Sequence, residues 1–353
     1  MSYQRVIIPR HGHAEVLQLV EEAELPFPNP DQVRLRVLAV GAAYTDVLIR
    51  EGMYPGIPKP PFSPGYEVVG EVDQLGESVT GFALGQRVVA LTVTGGYSEY
   101  LCVAAAELVP LPDGVDANEA ACLVLQYVTA YQLIHRVAKL QAGQRVLIHG
   151  AGGGVGTALL EIGQILGLEM YGTASAAKHD LVRRLGGTPI DYQREDFVER
   201  VHALTASRDQ SSTGNGNQSG VDVVFDGIGG GHLRPSYRAL APGGRLVCYG
   251  FSAAMQSRQR QLAFAATFGL MTALKLWPDG KQVSFYSITG LKQAHPDWFK
   301  QDLALLLDWL AAGQIRPVIA QRLPLGQAVT AHQLLDRGAV AGQLVLVCTG
   351  EGE

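Results

Sequence analysis

The chain has 353 residues, of which 47% are hydrophobic and 17% are charged, with a formal net charge of -5. This length and composition predict a large apolar core that is divided between two domains. The negative net charge gives no electrostatic reason to expect a nucleic acid or an anionic membrane as partner. A small molecule is therefore the expected partner.

The first residues lack the apolar core and the cleavage site of a signal peptide, so we expect a cytoplasmic protein. The four cysteines lie far apart among apolar neighbours, which predicts buried, reduced thiols and no disulfide framework. The longest apolar stretch, Leu262 to Leu276, is too short and too interrupted to span a bilayer, and we interpret it as a core or pocket-lining helix. The segment Ser207 to Gly220 is rich in Ser, Gly, Asn and Gln, which predicts a mobile surface loop.

The first third of the chain is rich in short β-type runs that are separated by proline and glycine clusters. Examples are Val33–Val40, Tyr66–Val72 and Arg87–Leu91. This pattern predicts a β-rich domain of barrel-like character.

From about Ala120 onward, strands alternate with helices, which predicts a parallel sheet covered on both faces. Six strands are predicted, the number in a complete doubly wound dinucleotide-binding sheet of the Rossmann type. They are Arg145–Gly150, Glu169–Thr173, Pro189–Tyr192, Val221–Asp226, Arg245–Gly250 and Val283–Ile288.

The end of the chain carries elements beyond those six strands. A helix is predicted around Asp302–Ala312, a β-type segment at Ile315–Leu323, a helix at Gly326–Arg337 and a last strand at Gln343–Cys348. We expect them to pack on the N-terminal domain and make it discontinuous. The predicted division is residues 1–123 with 294–353 for this domain, and 124–293 for the Rossmann domain.

The run from Arg145 to Gly163 is the most informative stretch, because a β-branched strand enters a glycine cluster and a helix leaves it. Such a turn lets main-chain N–H groups approach a pyrophosphate at the positive end of the helix. We therefore predict cofactor contacts from Gly152, Gly153, Gly154 and Val155. The spacing is not a literal G-x-G-x-x-G, since Ala151 holds the first position, so a glycine-rich turn of another α/β fold is the alternative.

The end of the second strand indicates which nicotinamide dinucleotide is bound, because an NAD site normally places a carboxylate there. Here Thr173, Ser175 and Lys178 follow instead, and the third strand ends near Tyr192. A hydroxyl, an ammonium and a phenol are suitable partners for a 2′-phosphate, so these four residues predict NADP(H). In the alternative interpretation, Lys178 is solvated and Tyr192 packs at a strand end.

With these motifs in view, the chain resembles the medium-chain dehydrogenase/reductase superfamily, in its zinc-independent quinone oxidoreductase and enoyl reductase branch. The resemblance covers nearly the whole length and implies a Rossmann domain plus a discontinuous, β-rich GroES-like barrel domain. The matching pieces are Thr45–Pro55, Pro64–Gly70, Val69–Val72, Leu84–Val88, Gly96–Tyr100, His149–Gly156 and Val223–Gly230.

Zinc members of this superfamily carry ligands at positions where this chain has other residues. A cysteine is replaced by Ala43, a histidine by Tyr66 and a further cysteine by Leu125. Without thiolate or imidazole donors, a tetrahedral zinc site is not expected. None of the nine histidines pairs with another at ligand spacing, so they are interpreted as solvated or satisfied structural residues and no metal site is predicted.

The resemblance implies hydride transfer from NADPH to a quinone or to an α,β-unsaturated carbonyl. Tyr54 matches a tyrosine that enoyl reductases of the superfamily place near the nicotinamide, which makes it the candidate proton donor. Tyr44 and Tyr131 are weaker candidates. The alternative is that Tyr54 only packs at the mouth of the cleft.

The resemblance also implies further cofactor contacts at the ends of later strands and at one helix start. These residues are Thr129, Asp226, Ile228, Tyr249, Gly250 and Phe251. Phe285 and Tyr286 either line the substrate pocket or fill the sixth strand, which in this family commonly pairs with its copy in a homodimer. The competing functional interpretation is an NADPH-binding protein with incidental catalysis, like the crystallin-like and vesicle-protein-like relatives.

Overall fold

The computed structural model describes residues 1–209, 219–255, 257 and 259–348. Residues 210–218, the main part of the predicted mobile loop at Ser207–Gly220, lie outside these ranges. The chain forms two compact units: unit 1 comprises residues 1–128 and 297–353, and unit 2 comprises residues 129–296.

Fifteen strands lie within the described ranges. In chain order they are β1 (Tyr3–Ile7), β2 (Gln18–Glu22), β3 (Gln32–Ala42), β4 (Glu67–Leu75), β5 (Arg87–Leu91), β6 (Tyr100–Ala104), β7 (Val109–Pro110), β8 (Arg145–His149), β9 (Glu169–Ala174), β10 (Gly187–Asp191), β11 (Val221–Asp226), β12 (Leu240–Cys248), β13 (Gln282–Phe285), β14 (Ile319–Pro324) and β15 (Gln343–Val347).

Twelve α-helices lie within the same ranges, together with short 3₁₀ turns and two π-helical segments at Leu123–Tyr127 and Leu133–Ala138. The α-helices are α1 (Tyr44–Arg50), α2 (Ala117–Cys122), α3 (Val128–Gln132), α4 (Gly154–Ile165), α5 (His179–Arg184), α6 (Phe197–Asp209), α7 (Leu233–Arg238), α8 (Ser252–Met255), α9 (Arg260–Lys275), α10 (Ile288–Ala294), α11 (Pro296–Ala311) and α12 (Ala328–Asp336).

Unit 2 is built on a six-stranded sheet in the order β10-β9-β8-β11-β12-β13, and every neighbouring pair is parallel. This is the doubly wound order of a Rossmann sheet, which confirms the predicted fold class. The order reverses between β8 and β11, so the carboxyl ends of these two strands form the crevice in which such sheets bind ligands.

The sixth predicted strand is too long at its carboxyl end. The strand β13 ends at Phe285, whereas Ile288 is the first residue of α10. The side chain of Ser287 caps this helix by accepting the N–H of Gly290, and an N-cap of this kind ends the preceding extended segment. The helix predicted from Gly326 likewise begins later, at Ala328, after a 3₁₀ turn at Leu325–Gln327.

Unit 1 contains a larger sheet in the order β14-β15-β3-β4-β5-β7, with β6 also paired to β3. The long strand β3 alternates buried Val33, Leu35 and Val37 with partly exposed residues, as expected for a sheet with one covered face. Strand β15 from the end of the chain pairs antiparallel with β3. This sheet is therefore assembled from both ends of the sequence, and β1 and β2 form a separate two-stranded sheet.

The helix α9 covers the stretch that was predicted as a core or pocket-lining helix. Thr267 and Met271 are buried, but Leu262 and Leu276 at its two ends are 65% and 77% exposed. The helix is as predicted, its exposed ends do not fit the core alternative, and the pocket-lining alternative stays a prediction. No helix within the described ranges is long and apolar enough to cross a membrane.

Candidate functional site

The glycine turn joins β8 to α4 and is held by main-chain hydrogen bonds. Gly150 has a φ of 68°, a left-handed conformation that favours glycine, and its carbonyl accepts the N–H of Gly153 at 2.9 Å. The N–H of Ala151 donates to the Thr173 carbonyl at 3.0 Å and so ties the turn to β9. The helix α4 begins at Gly154, which leaves its first N–H groups at the carboxyl edge of the sheet.

Two glycines of the turn lie in close contact with their surroundings. A Cβ on Gly156 would lie 2.3 Å from the Gly150 carbonyl oxygen and 2.6 Å from Ala151 Cα. A Cβ on Gly152 would lie 2.7 Å from Lys178 Cδ. The first contact lets α4 pack directly on the turn, and the second shows that the aliphatic stem of Lys178 lies against it.

The residues predicted at the end of β9 lie beside the same turn. Thr173 is buried in β9, and Ser175 and Lys178 are half-buried around the following 3₁₀ turn, where the Lys178 N–H donates to the Ser175 carbonyl. Partial burial lowers the pKa of Lys178, so an anionic partner would offset the cost of its charge. Tyr192, just after β10, is 56% exposed.

A chain of hydrogen bonds runs beneath the turn from Gly150 to Asp226. The N–H of Gly150 lies 3.3 Å from Thr173 Oγ1, which lies 3.0 Å from His149 Nδ1. On the other side of the ring, His149 Nε2 lies 3.1 Å from Ser236 Oγ, which donates to Asp226 Oδ2 at 2.7 Å. This pattern assigns the proton of His149 to Nε2.

Burial lowers the pKa of His149 to about 3, against the opposing influence of Asp226, so the imidazole is neutral at physiological pH. For Asp226, burial alone would raise the pKa, but hydrogen bonding to His232 and the neighbouring histidines outweigh it and lower the pKa. Asp226 Oδ1 also accepts the N–H groups of Ile228 at 2.8 Å and Gly229 at 2.9 Å. The carboxylate thus fixes the loop after β11.

The loop after β12 packs on the loop after β11. The N–H of Tyr249 donates to the Asp226 carbonyl at 2.9 Å, and a Cβ on Gly250 would lie 2.5 Å from the Gly227 carbonyl oxygen. Phe251 follows and packs against Phe264, with ring centroids 4.5 Å apart. The structure therefore brings the predicted residues of these two strand ends together.

The two aromatic residues at the end of β13 have different environments. Phe285 is 41% exposed and packs beside Phe251, with ring centroids 5.3 Å apart. Tyr286 is buried and its hydroxyl donates to Gln132 Oε1 at 2.9 Å. A packing role therefore fits Tyr286, whereas Phe285 presents part of its ring to solvent.

The two remaining predicted residues belong to different units. Thr129 is buried in α3 and is the first residue of unit 2. Tyr54 belongs to unit 1, is half-buried, and its hydroxyl lies 2.5 Å from the hydroxyl of the buried Tyr66.

The positions that correspond to zinc ligands are occupied by side chains that do not fit the metal. Ala43 and Leu125 offer no ligand atom, and Tyr66 offers only a phenol. The nearby carboxylates are engaged by N–H donors: Asp46 by Ala43 at 2.9 Å, and Glu67 by Leu125 at 2.5 Å. Burial raises the pKa of Asp46 to about 7 and that of Glu67 well above its ordinary value.

Three residues of unit 2 that are far apart in the sequence bring potential metal-ligand atoms close to one another. The side-chain ligand atoms of His149, Asp226 and His232 all lie within 4.8 Å. Ser236 Oγ already contacts one atom of each, at 3.1, 2.7 and 3.3 Å respectively. A cation here would have to replace these hydrogen bonds, so the group is best described as a buried polar network.

Two family models match the chain: the alcohol dehydrogenase GroES-like domain over residues 29–113 and the zinc-binding dehydrogenase family over residues 185–346. The chain is 31% identical over 348 residues to the synaptic vesicle membrane protein VAT-1 homolog of Homo sapiens, covering 97% of this chain and 85% of that protein. It is 28% identical over 340 residues to the quinone oxidoreductase of Mus musculus, covering 95% of each.

Among solved structures, the Escherichia coli quinone oxidoreductase complexed with NADPH matches with a TM-score of 0.84 at 26% identity, covering 98% of this chain and 99% of that chain. The order of the parallel sheet and the glycine turn define a Rossmann-type α/β protein. The match to the GroES-like domain model identifies the second, β-rich unit. The chain belongs to the medium-chain dehydrogenase/reductase family, in the branch that contains the quinone oxidoreductases.

Proposed function

We propose that this protein is an NADPH-dependent oxidoreductase that reduces quinones or activated alkenes such as enones and enals without zinc. The observation that carries the proposal is the group formed by the glycine turn, Thr173, Ser175 and Lys178 at the carboxyl edge of the sheet. Ser175 and Lys178 offer a hydroxyl and an ammonium group where an NAD site needs a carboxylate, whereas the Thr173 hydroxyl is engaged by Gly150 and His149. The E. coli relative complexed with NADPH supports the same cofactor.

The chain's own residues support the proposed acceptor class. NADPH, when bound, supplies the hydride, and the protein must supply orientation and a proton. The residues at the zinc-ligand positions do not fit a metal that would polarise the acceptor. The acceptor must therefore be electron-poor by itself, as a quinone or an enone is. Tyr54 is the proposed proton donor, and Thr129, Asp226, Ile228, Tyr249, Gly250, Phe251 and Tyr192 are proposed to complete the cofactor contacts.

Replacing Lys178 with alanine tests the cofactor assignment. A charge-assisted hydrogen bond contributes roughly 1.5–3 kcal/mol, so we expect NADPH to bind about tenfold to a hundredfold more weakly. NADH affinity should hardly change, because NADH carries no 2′-phosphate. Titration calorimetry with both cofactors measures the difference, and Lys275→Ala, at an exposed lysine of α9, is the matched control. Equal losses for NADPH and NADH would contradict the assignment.

Replacing Tyr54 with phenylalanine tests the proton donor. Turnover of an enone should fall at least about tenfold, since the phenol supplies a proton in the proposed reaction, while NADPH affinity should be unchanged. Steady-state kinetics and NADPH titration on the same preparation separate the two quantities. An unchanged rate would remove Tyr54 from the mechanism and favour a packing role.

The alternative function is NADPH binding with only incidental catalysis. It is kept because a relative 31% identical to this chain is named for a vesicle membrane and not for a reaction. NADPH oxidation should be screened against quinones, alkenals and enoyl thioesters. A reductase has at least one acceptor with saturable kinetics, whereas the alternative binds NADPH and turns over none of them efficiently. The same screen identifies the acceptor class.

We also propose a cytoplasmic homodimer. Strand β13 is the last in the sheet order, and among the described strands it pairs only with β12. An unpaired strand edge favours association with a second strand, and a twofold axis would let β13 pair with its own copy. Light scattering after size-exclusion chromatography measures the oligomeric state, and a monomer at micromolar concentration would contradict the proposal.

A further inference from the structure

Tyr66 is a buried tyrosine next to the start of β4, at the position where zinc members of the family place a histidine ligand. Its carbonyl accepts the N–H groups of Thr92 at 2.9 Å and Val93 at 3.0 Å. The main chain is therefore held in place at this residue. A buried aromatic ring on a fixed main chain has little rotamer freedom.

The ring and hydroxyl of Tyr66 both contact Tyr54. The two rings meet edge to face, with centroids 5.7 Å apart and an angle of 75° between their planes. The two hydroxyl oxygens are 2.5 Å apart, which is hydrogen-bonding distance. Since a phenol is both donor and acceptor, Tyr66 can donate to Tyr54 while Tyr54 keeps its own proton for another acceptor.

We propose that Tyr66 is a positioning residue that orients the Tyr54 hydroxyl for proton delivery to the reduced substrate. This inference rests on the proposed reductase function. Tyr66, which stands at the position of a zinc ligand in other members of the family, would then act on the reaction through Tyr54. We call these two residues the tyrosine pair Tyr54–Tyr66.

Each proton in the proposed step has a source and a destination. A hydride adds to the β-carbon of the enone, and the Tyr54 O–H bond breaks as its proton passes to the resulting enolate. The Tyr54 phenolate left behind accepts the hydrogen bond donated by Tyr66 and is then reprotonated by a hydronium ion from solvent. One solvent proton is therefore consumed for each hydride that bound NADPH would supply. Tyr66 keeps its proton throughout, so its contribution depends entirely on Tyr54.

A double-mutant comparison tests this dependence. Tyr66→Phe should lower kcat for an enone about three- to tenfold with little change in KM for NADPH, as expected for the loss of one hydrogen bond. In the Tyr54→Phe background, the same change should alter kcat by less than about twofold, because the group through which it acts is missing. An equal loss in both backgrounds, or wild-type kcat in Tyr66→Phe, overturns the proposal.

The matched control is Tyr97→Phe. Tyr97 is also fully buried in unit 1 and its hydroxyl contacts His332 Nε2 at 3.2 Å, so the change removes a buried phenol hydroxyl elsewhere. It should lower the thermal midpoint without lowering kcat. If Tyr66→Phe does not fold, Tyr66→Met provides a second variant without the hydroxyl.

A spectroscopic readout does not depend on turnover. In protein labelled with 3-fluorotyrosine, the ¹⁹F resonance of Tyr54 is identified by its disappearance in Tyr54→Phe. We expect this resonance to shift in Tyr66→Phe and to stay in place in Tyr97→Phe. No shift in Tyr66→Phe overturns the proposal. If the wild-type protein reduces no acceptor, the proposed function fails and this inference fails with it, whereas wild-type turnover with an unaffected Tyr66→Phe variant overturns the inference alone.

Discussion

Replacing Gly156 with alanine should weaken NADPH binding about a hundredfold. A Cβ at this position would lie 2.3 Å from the Gly150 carbonyl oxygen and 2.6 Å from Ala151 Cα, both main-chain atoms that have no rotamer to change. The turn and the first turn of α4 must therefore move apart. Such a movement takes N–H donors away from the pyrophosphate, and each charge-assisted contact contributes roughly 1.5–3 kcal/mol.

The matched control for this prediction is Gly269→Ala in α9, because nothing lies within 4 Å of a Cβ at Gly269. This variant should bind NADPH like the wild-type protein, and its thermal midpoint should be equal or slightly higher. Titration calorimetry on both variants makes the comparison. If Gly156→Ala binds NADPH with wild-type affinity, the dinucleotide does not use this turn and the proposed function loses its main support.

The Rossmann sheet was predictable because its strands are buried on both faces. In Val221–Asp226, four of the six residues are apolar and five are buried, which is typical of a central parallel strand. The turn at Gly150–Gly156 was recognisable because its strand, its glycines and its helix follow one another within a single stretch of sequence. Strand ends were less predictable, because a local contact such as the Ser287 cap decides where β13 gives way to α10.

The polar network beneath the turn was not predictable from the sequence. His149 and Ser236 are 87 positions apart, and they meet because β8 pairs with β11 and Ser236 lies in α7, the helix that follows β11. The exposure of α9 escaped prediction for a related reason, because apolar composition predicts a helix but not how much of its surface the fold covers. The local motif was thus available from the sequence, whereas the groups that support it depend on tertiary structure.

Replacing Arg50 with methionine should destabilise unit 1 by about 3–5 kcal/mol, the usual cost of removing one partner from a buried ionic network. The Arg50 guanidinium is completely buried at the end of α1. It donates to the Gly12 carbonyl at 3.0 Å, to Glu51 Oε1 at 2.9 Å and to both carboxylate oxygens of Asp336 at 3.1 Å. The network therefore joins the N-terminal part of the unit to α12 near the end of the chain.

Methionine fills much of the arginine volume, so the expected loss comes from charge and hydrogen bonding more than from a cavity. The Glu51 side chain is only 5% exposed and would lose its buried cation. The matched control is Arg36→Met, which removes a partly exposed pair with Glu71 between β3 and β4 and should cost about 1 kcal/mol or less. Urea unfolding measures both, and equal losses would contradict the central role of Arg50. Burial, and then the Arg50 charge, lower the pKa of His332 to about 3, so the imidazole whose Nδ1 lies 3.1 Å from Arg50 is neutral and cannot replace the lost cation. A marked loss of stability in Arg50→Met alone is therefore the expected result.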